Sequence, residues 1–161
     1  MTAQTKNNFS SLKSHLSFRE GFTLIELLVV IGILAILLAI TLIAINPARQ
    51  FGQANDTKRR SDITQILNAV GQYSASNAGN LPAAITTTAQ QINKTNTPTL
   101  CTDLVPTYLP ALPADPSLNN QAGISDCAAA AWDTGYTIIK DANNRITVSA
   151  TGYAGALSVT R

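Results

Sequence analysis

The chain is polar from Met1 to Glu20 and then apolar from Phe22 to Ile45, a run of 24 residues in which Glu26 is the one charge and Thr23 and Thr41 are the other polar side chains. About 20 apolar residues suffice for a helix to cross a bilayer core, so the run predicts a membrane span. Beyond Asn46-Pro47 the apolar positions take up helical spacing, with Ile63, Ile66, Leu67, Val70 and Tyr73 on one stripe. The helix is therefore expected to continue past the membrane as one long element, with a membrane-spanning first half and an amphipathic second half that stops at Gly79, Asn80 and Pro82. Pro47 has no N–H for the carbonyl of Ile43 and disfavours helical geometry at Asn46, so a weak point is expected between the two helical stretches.

From Leu81 to Ala131 no period is sustained, and Pro106, Pro110, Pro113 and Pro116 break up the apolar segments. A long loop with one short strand or a turn of helix is predicted, tied down or functional in view of its length. Within it, Thr86 to Thr99 reads as solvated surface, with a glycosylated stretch as the alternative. The last 28 residues alternate. Tyr136, Ile138 and Lys140, turn residues Asp141 to Asn144, then Ile146, Val148 and Ala150 predict a hairpin. Leu157 and Val159 predict a third antiparallel strand after a turn around Gly152 to Gly155. The expected fold class is α+β, a small antiparallel sheet packed on the helix face that carries Ile66 and Val70.

Glu26 demands an explanation, because an ionised carboxylate costs roughly 2.5 to 3.5 kcal/mol at the centre of a span and less near its end. One reading is that it snorkels to the headgroups without a partner. The other needs a cation inside the membrane. A cut between Gly21 and Phe22 would create one, since the new α-amine of Phe22 would lie four residues from Glu26.

The segment Arg19-Glu20-Gly21-Phe22-Thr23-Leu24-Ile25-Glu26-Leu27-Leu28-Val29-Val30-Ile31 resembles the processing and methylation motif of type IV prepilins and their pseudopilin relatives. The resemblance covers about 25 positions, nearly residue for residue. It implies cleavage after Gly21 by a membrane-embedded prepilin peptidase, N-methylation of Phe22, and assembly of the trimmed chain into a filament, where pairing of Glu26 with the new amine of a neighbouring subunit would make Glu26 an assembly residue. It also implies a pilin-like roll for the remainder. Many pilins have a proline one turn before Pro47, where this chain has Ile43, so filament geometry does not carry over.

The leader is unlike a secretory signal in its own right, because the apolar run is far longer than an h-region and no small-x-small site follows Ile45. Three segments follow: a cytoplasmic leader over residues 1–21, a membrane and assembly helix over 22–45, and an extracytoplasmic domain over 46–161. Lys6, Lys13 and Arg19 against Glu20 favour a cytoplasmic leader, but Arg49, Lys58, Arg59 and Arg60 bring the positive-inside count near a tie. Orientation therefore rests on the motif and on the cysteines.

Removing the leader takes three of 11 basic and one of nine acidic side chains, leaving eight of each. A neutral chain exerts no long-range pull on nucleic acid or anionic lipid, and no specific nucleic acid is expected as a partner. Cys101 and Cys127 allow one intrachain bridge, worth roughly 3 kcal/mol by chain entropy, and oxidation would place the domain outside the cytoplasm; two buried thiols are the alternative.

Enzymatic chemistry finds little footing. The sole histidine, His15, lies in the leader, no second acid pairs recognisably with Asp103, Asp115, Asp126 or Asp133, and neither a cofactor nor a metal is expected. Asp141 to Arg145 begins like a calcium loop, but Arg145 occupies a ligand position and the glycine is missing, so it reads as a turn, with calcium binding, which the resemblance to secretion pseudopilins allows, as the alternative. Lys58-Arg59-Arg60 reads as a solvated helix face partnered by Asp56 and Asp62. Gly32, Ala35 and Ala39 place small residues on one face of the span, which fits bundled helices.

The sequence thus predicts a structural subunit of a type IV pilus or pilus-like filament. Its partners would be prepilin peptidase, copies of itself and the assembly machinery, and its location the inner membrane before assembly and the cell surface or periplasm afterwards. The alternatives are a pseudopilin of a type II secretion or competence system, and a single-pass anchored binding domain that never polymerises.

Overall fold

The computed structural model describes residues 21–118 and 123–161; the predicted leader through Glu20 lies outside them. The chain divides into two compact units between Ala44 and Ile45. Helix α1 spans Leu24–Ile45, and none of its residues is buried. Its hydrogen-bond ladder ends outright at Asn46, which adopts a left-handed backbone with φ 45°. The interruption is sharper than a weak point. Pro47 disfavours the helical geometry at Asn46, asparagine tolerates the left-handed alternative, and its side chain caps the next helix by accepting from the Arg49 N–H at 3.3 Å.

Helix α2, Pro47–Ser76, starts with that proline at a position where no N–H is needed. Its stripe behaves as expected: Ile63, Ile66, Leu67, Ala69 and Val70 are buried. Asn77 closes the helix, and Ala78 and Gly79 follow with positive φ. After it come strand β1 (Gln90–Asn93), helix α3 (Leu100–Leu104), and strands β2 (Asp133–Lys140), β3 (Ile146–Gly152) and β4 (Gly155–Thr160). The four strands form one antiparallel sheet in the order β1-β2-β3-β4. Tyr136, Ile138, Ile146, Val148, Ala150 and Leu157 alternate onto the face packed against α2.

The fold class is therefore α+β, with one strand more than the alternation predicts. β1 pairs with β2 at Gln90↔Ile138 and Gln91↔Thr137, and only Ile92 of its four residues is buried. The segment from Thr86 to Thr99 is accordingly not solvated throughout. Ile92 and Thr97 are fully buried, and the Thr97 hydroxyl and N–H both donate to the Asn93 carbonyl, at 3.2 and 3.0 Å. A hydroxyl satisfied by its own turn can be buried at little cost.

The basic run also needs correction. Lys58 and Arg60 are exposed, but Arg59 retains only 7% exposure. Its guanidinium forks onto Asp115, Nε to Oδ2 at 2.7 Å and Nη2 to Oδ1 at 2.9 Å, while Nη1 reaches Asp56 at 2.9 Å. Asp115 comes from the proline-rich loop, 56 positions away, so helix spacing could not reveal it. Burial pushes the Asp115 carboxyl up, but the bonds from Arg59 and Ser117 outweigh it and hold the pKa down at about 2. Asp62 lies alongside, accepting from Lys58 Nζ at 2.7 Å and from the buried Tyr136 hydroxyl at 2.8 Å.

Cys101, on α3 and fully buried, is joined to Cys127 by a disulfide with Cα atoms 5.5 Å apart. It closes the loop that contains α3 and the Leu112↔Ile124 bridge. Cys127→Ser should lower the stability of the sheet-bearing unit by about 2 to 5 kcal/mol. Thermal unfolding of the full chain in detergent should show earlier loss of tertiary signal with α1 helicity retained; an unchanged transition would refute it.

Arg59→Ala should cost about 3 to 5 kcal/mol because it leaves Asp115 buried and unpaired. Lys58→Ala removes a half-exposed cation from the buried Asp62, which keeps its bond from the Tyr136 hydroxyl, and should cost less, about 1 kcal/mol. Because the folded pKa of Asp115 lies below its unfolded value, the stability it lends is present above about pH 4 and is lost as pH falls toward 2. Denaturant melts of both variants between pH 2 and 7 check the ranking and the sign, and the wild-type advantage over Arg59→Ala should shrink at the acid end.

Candidate functional site

Gly21 to Glu26 marks the start of α1, and the geometry there is local. Thr23 stands immediately before the helix as its N-cap. The Thr23 N–H and hydroxyl both lie 3.3 Å from Glu26 Oε2, and the Glu26 N–H donates back to Thr23 Oγ1 at 3.3 Å. This is a capping box, in which a threonine and the acid three positions on satisfy each other's backbone donors. The spacing Thr23-x-x-Glu26 was there to be read in the sequence, and the predicted roles for Glu26 did not include it. A carboxylate in the first turn also faces the positive end of the helix dipole.

Glu26 thus has a partner, but it is a neutral one. Among the described residues no cation pairs with it. Phe22 is 80% exposed, and a Cβ placed on Gly21 would meet nothing within 4 Å. Among the described residues nothing requires a glycine at that position. The rest of α1 is equally open: Leu24, Ile36, Leu38 and Ile43 are among 17 large apolar side chains exposed between Phe22 and Ile45. The helix is long and apolar enough to cross a membrane.

The remaining candidates resolve into structural roles. Asp141 holds its own turn, accepting from the N–H groups of Asn143 and Arg145 at 2.8 Å and from Arg145 Nε at 2.8 Å. Those N–H groups, the Arg145 backbone first, draw its pKa down. Among the described residues no three His, Cys, Asp or Glu side chains come close enough to hold a metal ion. Asp133 accepts from Gln91, and Asp126 caps a turn at Ala128. The disulfide joins the two cysteines far from the α1 terminus in sequence.

Residues 16–42 match the family model described as the prokaryotic N-terminal methylation motif. This is the precursor signal of type IV pilins and pseudopilins, which are structural subunits. The match ends at Leu42, so it speaks for the segment around Gly21 and Glu26 and leaves the sheet-bearing unit to its own geometry. No curated protein and no solved structure matches the chain.

The open surroundings of Gly21 generate a test of its role. Gly21→Val should leave the fold unchanged and leave uncut precursor in the membranes of cells with an active prepilin peptidase. N-terminal sequencing or intact mass of the wild type should begin at Phe22. Recovery of the wild-type chain with its leader intact, or normal trimming of the variant, would remove Gly21 from the site.

Proposed function

We propose that the chain is the precursor of a structural subunit of a type IV pilus or pilus-like filament, cut after Gly21, N-methylated on Phe22 and polymerised through α1. The observation that carries this reading is the combination of an uncovered apolar helix with a carboxylate in its first turn, four residues from the cut. Lipid covers such a helix before assembly. Copies of the same helix would cover it in a fibre, where the small residues Gly32, Ala35 and Ala39 permit close approach.

Cleavage changes the chemistry at the helix start. The new α-amine is cationic, lies beside the positive end of a helix dipole, and loses much of its solvation where α1 is covered. Glu26 is the acid within reach. Pairing it with the amine of the same chain would neutralise each subunit alone, whereas pairing with a neighbouring subunit would also penalise a neighbour docked out of register, because both charges would stand unmatched. The disulfide fits a domain exported from the cytoplasm, and the peptidase and assembly machinery are the partners implied.

The capping box makes Glu26→Gln the informative variant, since glutamine can keep the bond to the Thr23 N–H while losing the charge. Glu26→Gln and Glu26→Ala should both insert and be trimmed at Gly21 yet give few or no sedimentable fibres, with Glu26→Asp intermediate. Wild-type fibre yield from Glu26→Gln with loss only in Glu26→Ala would assign Glu26 to capping alone. Blocked trimming would assign it to the peptidase. Fibres visible at native expression would favour a pilus over a short pseudopilus, and trimming without any fibre would favour an anchored domain.

A further inference from the structure

The two edges of the sheet are treated differently. At one edge, β1 is four residues long, carries an irregularity between Gln91 and Asn93, and has its Asn93 N–H taken by Thr97 Oγ1 at 3.2 Å. Short strands and bulges are the usual ways of blunting an edge against pairing with another chain. At the other edge, β4 runs regularly from Gly155 to Thr160, in register with β3 throughout, and contains no proline and no charged residue.

The ladder tells which β4 groups are free. Ile146 and Arg161 exchange both backbone hydrogen bonds, at 2.6 and 2.9 Å. Antiparallel ladders alternate, so Val148 with Val159 and Ala150 with Leu157 are the next hydrogen-bonded pairs. The N–H and C=O groups of Ala156, Ser158 and Thr160 therefore point away from β3. All three residues are exposed, and no backbone partner for them exists among the described residues. An open row of this kind is a template for a further strand.

We infer that β4 is a pairing edge whose occupant is β4 of a second copy of this chain, running antiparallel about a twofold axis at Ser158. In that register Ser158 faces the partner's Ser158, and Ala156 faces the partner's Thr160. Each facing pair exchanges two backbone bonds, so every outward group from Ala156 to Thr160 is satisfied. At these pairs the side chains that meet are small or hydroxylated, and between them Leu157 stands opposite the partner's Val159. Arg161 falls opposite the partner's Gly155, so the two arginines lie at opposite ends and no like charges face one another. A strand bearing acids or bases would gain no complementary partner here, which favours an uncharged strand such as β4 itself. The contact is isologous, unlike the heterologous repeat of a fibre built on α1, and it stands whether or not the filament reading holds.

Proline separates the alternatives, because Ser158→Pro removes an N–H that β3 does not use. The probe is residue-resolved amide hydrogen exchange of the full chain in detergent micelles over a range of concentrations, with sedimentation alongside. In the wild type the amides of Ala156, Ser158 and Thr160 should become protected as concentration rises, while those of Leu157 and Val159 are protected throughout. Ser158→Pro should lose the concentration-dependent protection at Ala156 and Thr160 and the corresponding dimer, with Leu157 and Val159 still protected as proof of an intact sheet. Should that proof fail, Ala156→Pro, at the next outward N–H, takes its place. Outward amides that exchange freely at all concentrations, or a dimer that survives the proline with the sheet intact, would overturn the inference. Loss of fibres in the Glu26 variants with this pairing intact would count against the filament alone.

Discussion

Helix α1 buries none of its side chains, and that constraint shapes the rest of the chain. Burial of apolar area is the main term favouring folded structure, at about 25 cal/mol per Å². An apolar helix of 22 residues contributes nothing to it within the described residues. Residues from Ile45 onward must therefore find a core of their own. They do so with the second half of α2, since no position before Arg59 is fully buried and Ile63, Ile66 and Val70 lie at 0% exposure. The first turns of α2 are left exposed, and α1 is left to whatever surrounds it.

A unit that cannot draw on its most apolar segment holds its irregular portion by other means. The disulfide anchors α3, and the fork of Arg59 onto Asp115 pins the proline-rich loop to α2. A buried ion pair is a poor source of net stability, because desolvation offsets most of the attraction. Its value here is positional. Asp115 also accepts from the Ser117 N–H and hydroxyl, and its own N–H donates to the Thr134 carbonyl at 2.8 Å, so the pair fixes helix, loop and β2 in one register. Asp56 repeats the device at the β3–β4 turn, where it accepts from the Tyr153 N–H at 2.8 Å. Tyr153 lays its ring where a Cβ on Gly52 would stand, so that glycine within α2 is explained by close approach.

What the sequence made legible was periodic. The apolar run, the stripe through Ile63 and Val70, and the alternation in β2 and β3 each repeat enough times for the period to identify the element. Strand β1 offers one buried residue, Ile92, among glutamines and asparagine, and it is a strand only because β2 supplies its hydrogen bonds. Helix α3 has five residues and is held by its buried cysteine and leucines. Arg59 looks like its exposed neighbours Lys58 and Arg60 until Asp115 is brought to it from far along the chain. These are long-range facts, and local spacing does not contain them. The capping box differs, because Thr23-x-x-Glu26 is wholly local and its spacing alone identifies it, although the charge of Glu26 in an apolar run is the more conspicuous signal.

That box changes how the proposed assembly step works energetically. A Glu26 with no partner would gain from any cation, so pairing on assembly would be favourable in almost any arrangement. A Glu26 already bonded to the Thr23 N–H and hydroxyl must give up or share those contacts. Only an arrangement that returns at least as much can displace them. The capping bonds are already charge-assisted on one side, since the carboxylate accepts from neutral donors, whereas an amine would bring a second, opposite charge. An amine in the right register adds ion-pair attraction that the neutral cap donors lack, and one too far away to bond adds little. Under the filament reading the cap would hold the carboxylate ready in the uncut precursor and raise the threshold a neighbouring chain has to pass. The same two residues that start the helix would then also set how selective its packing is.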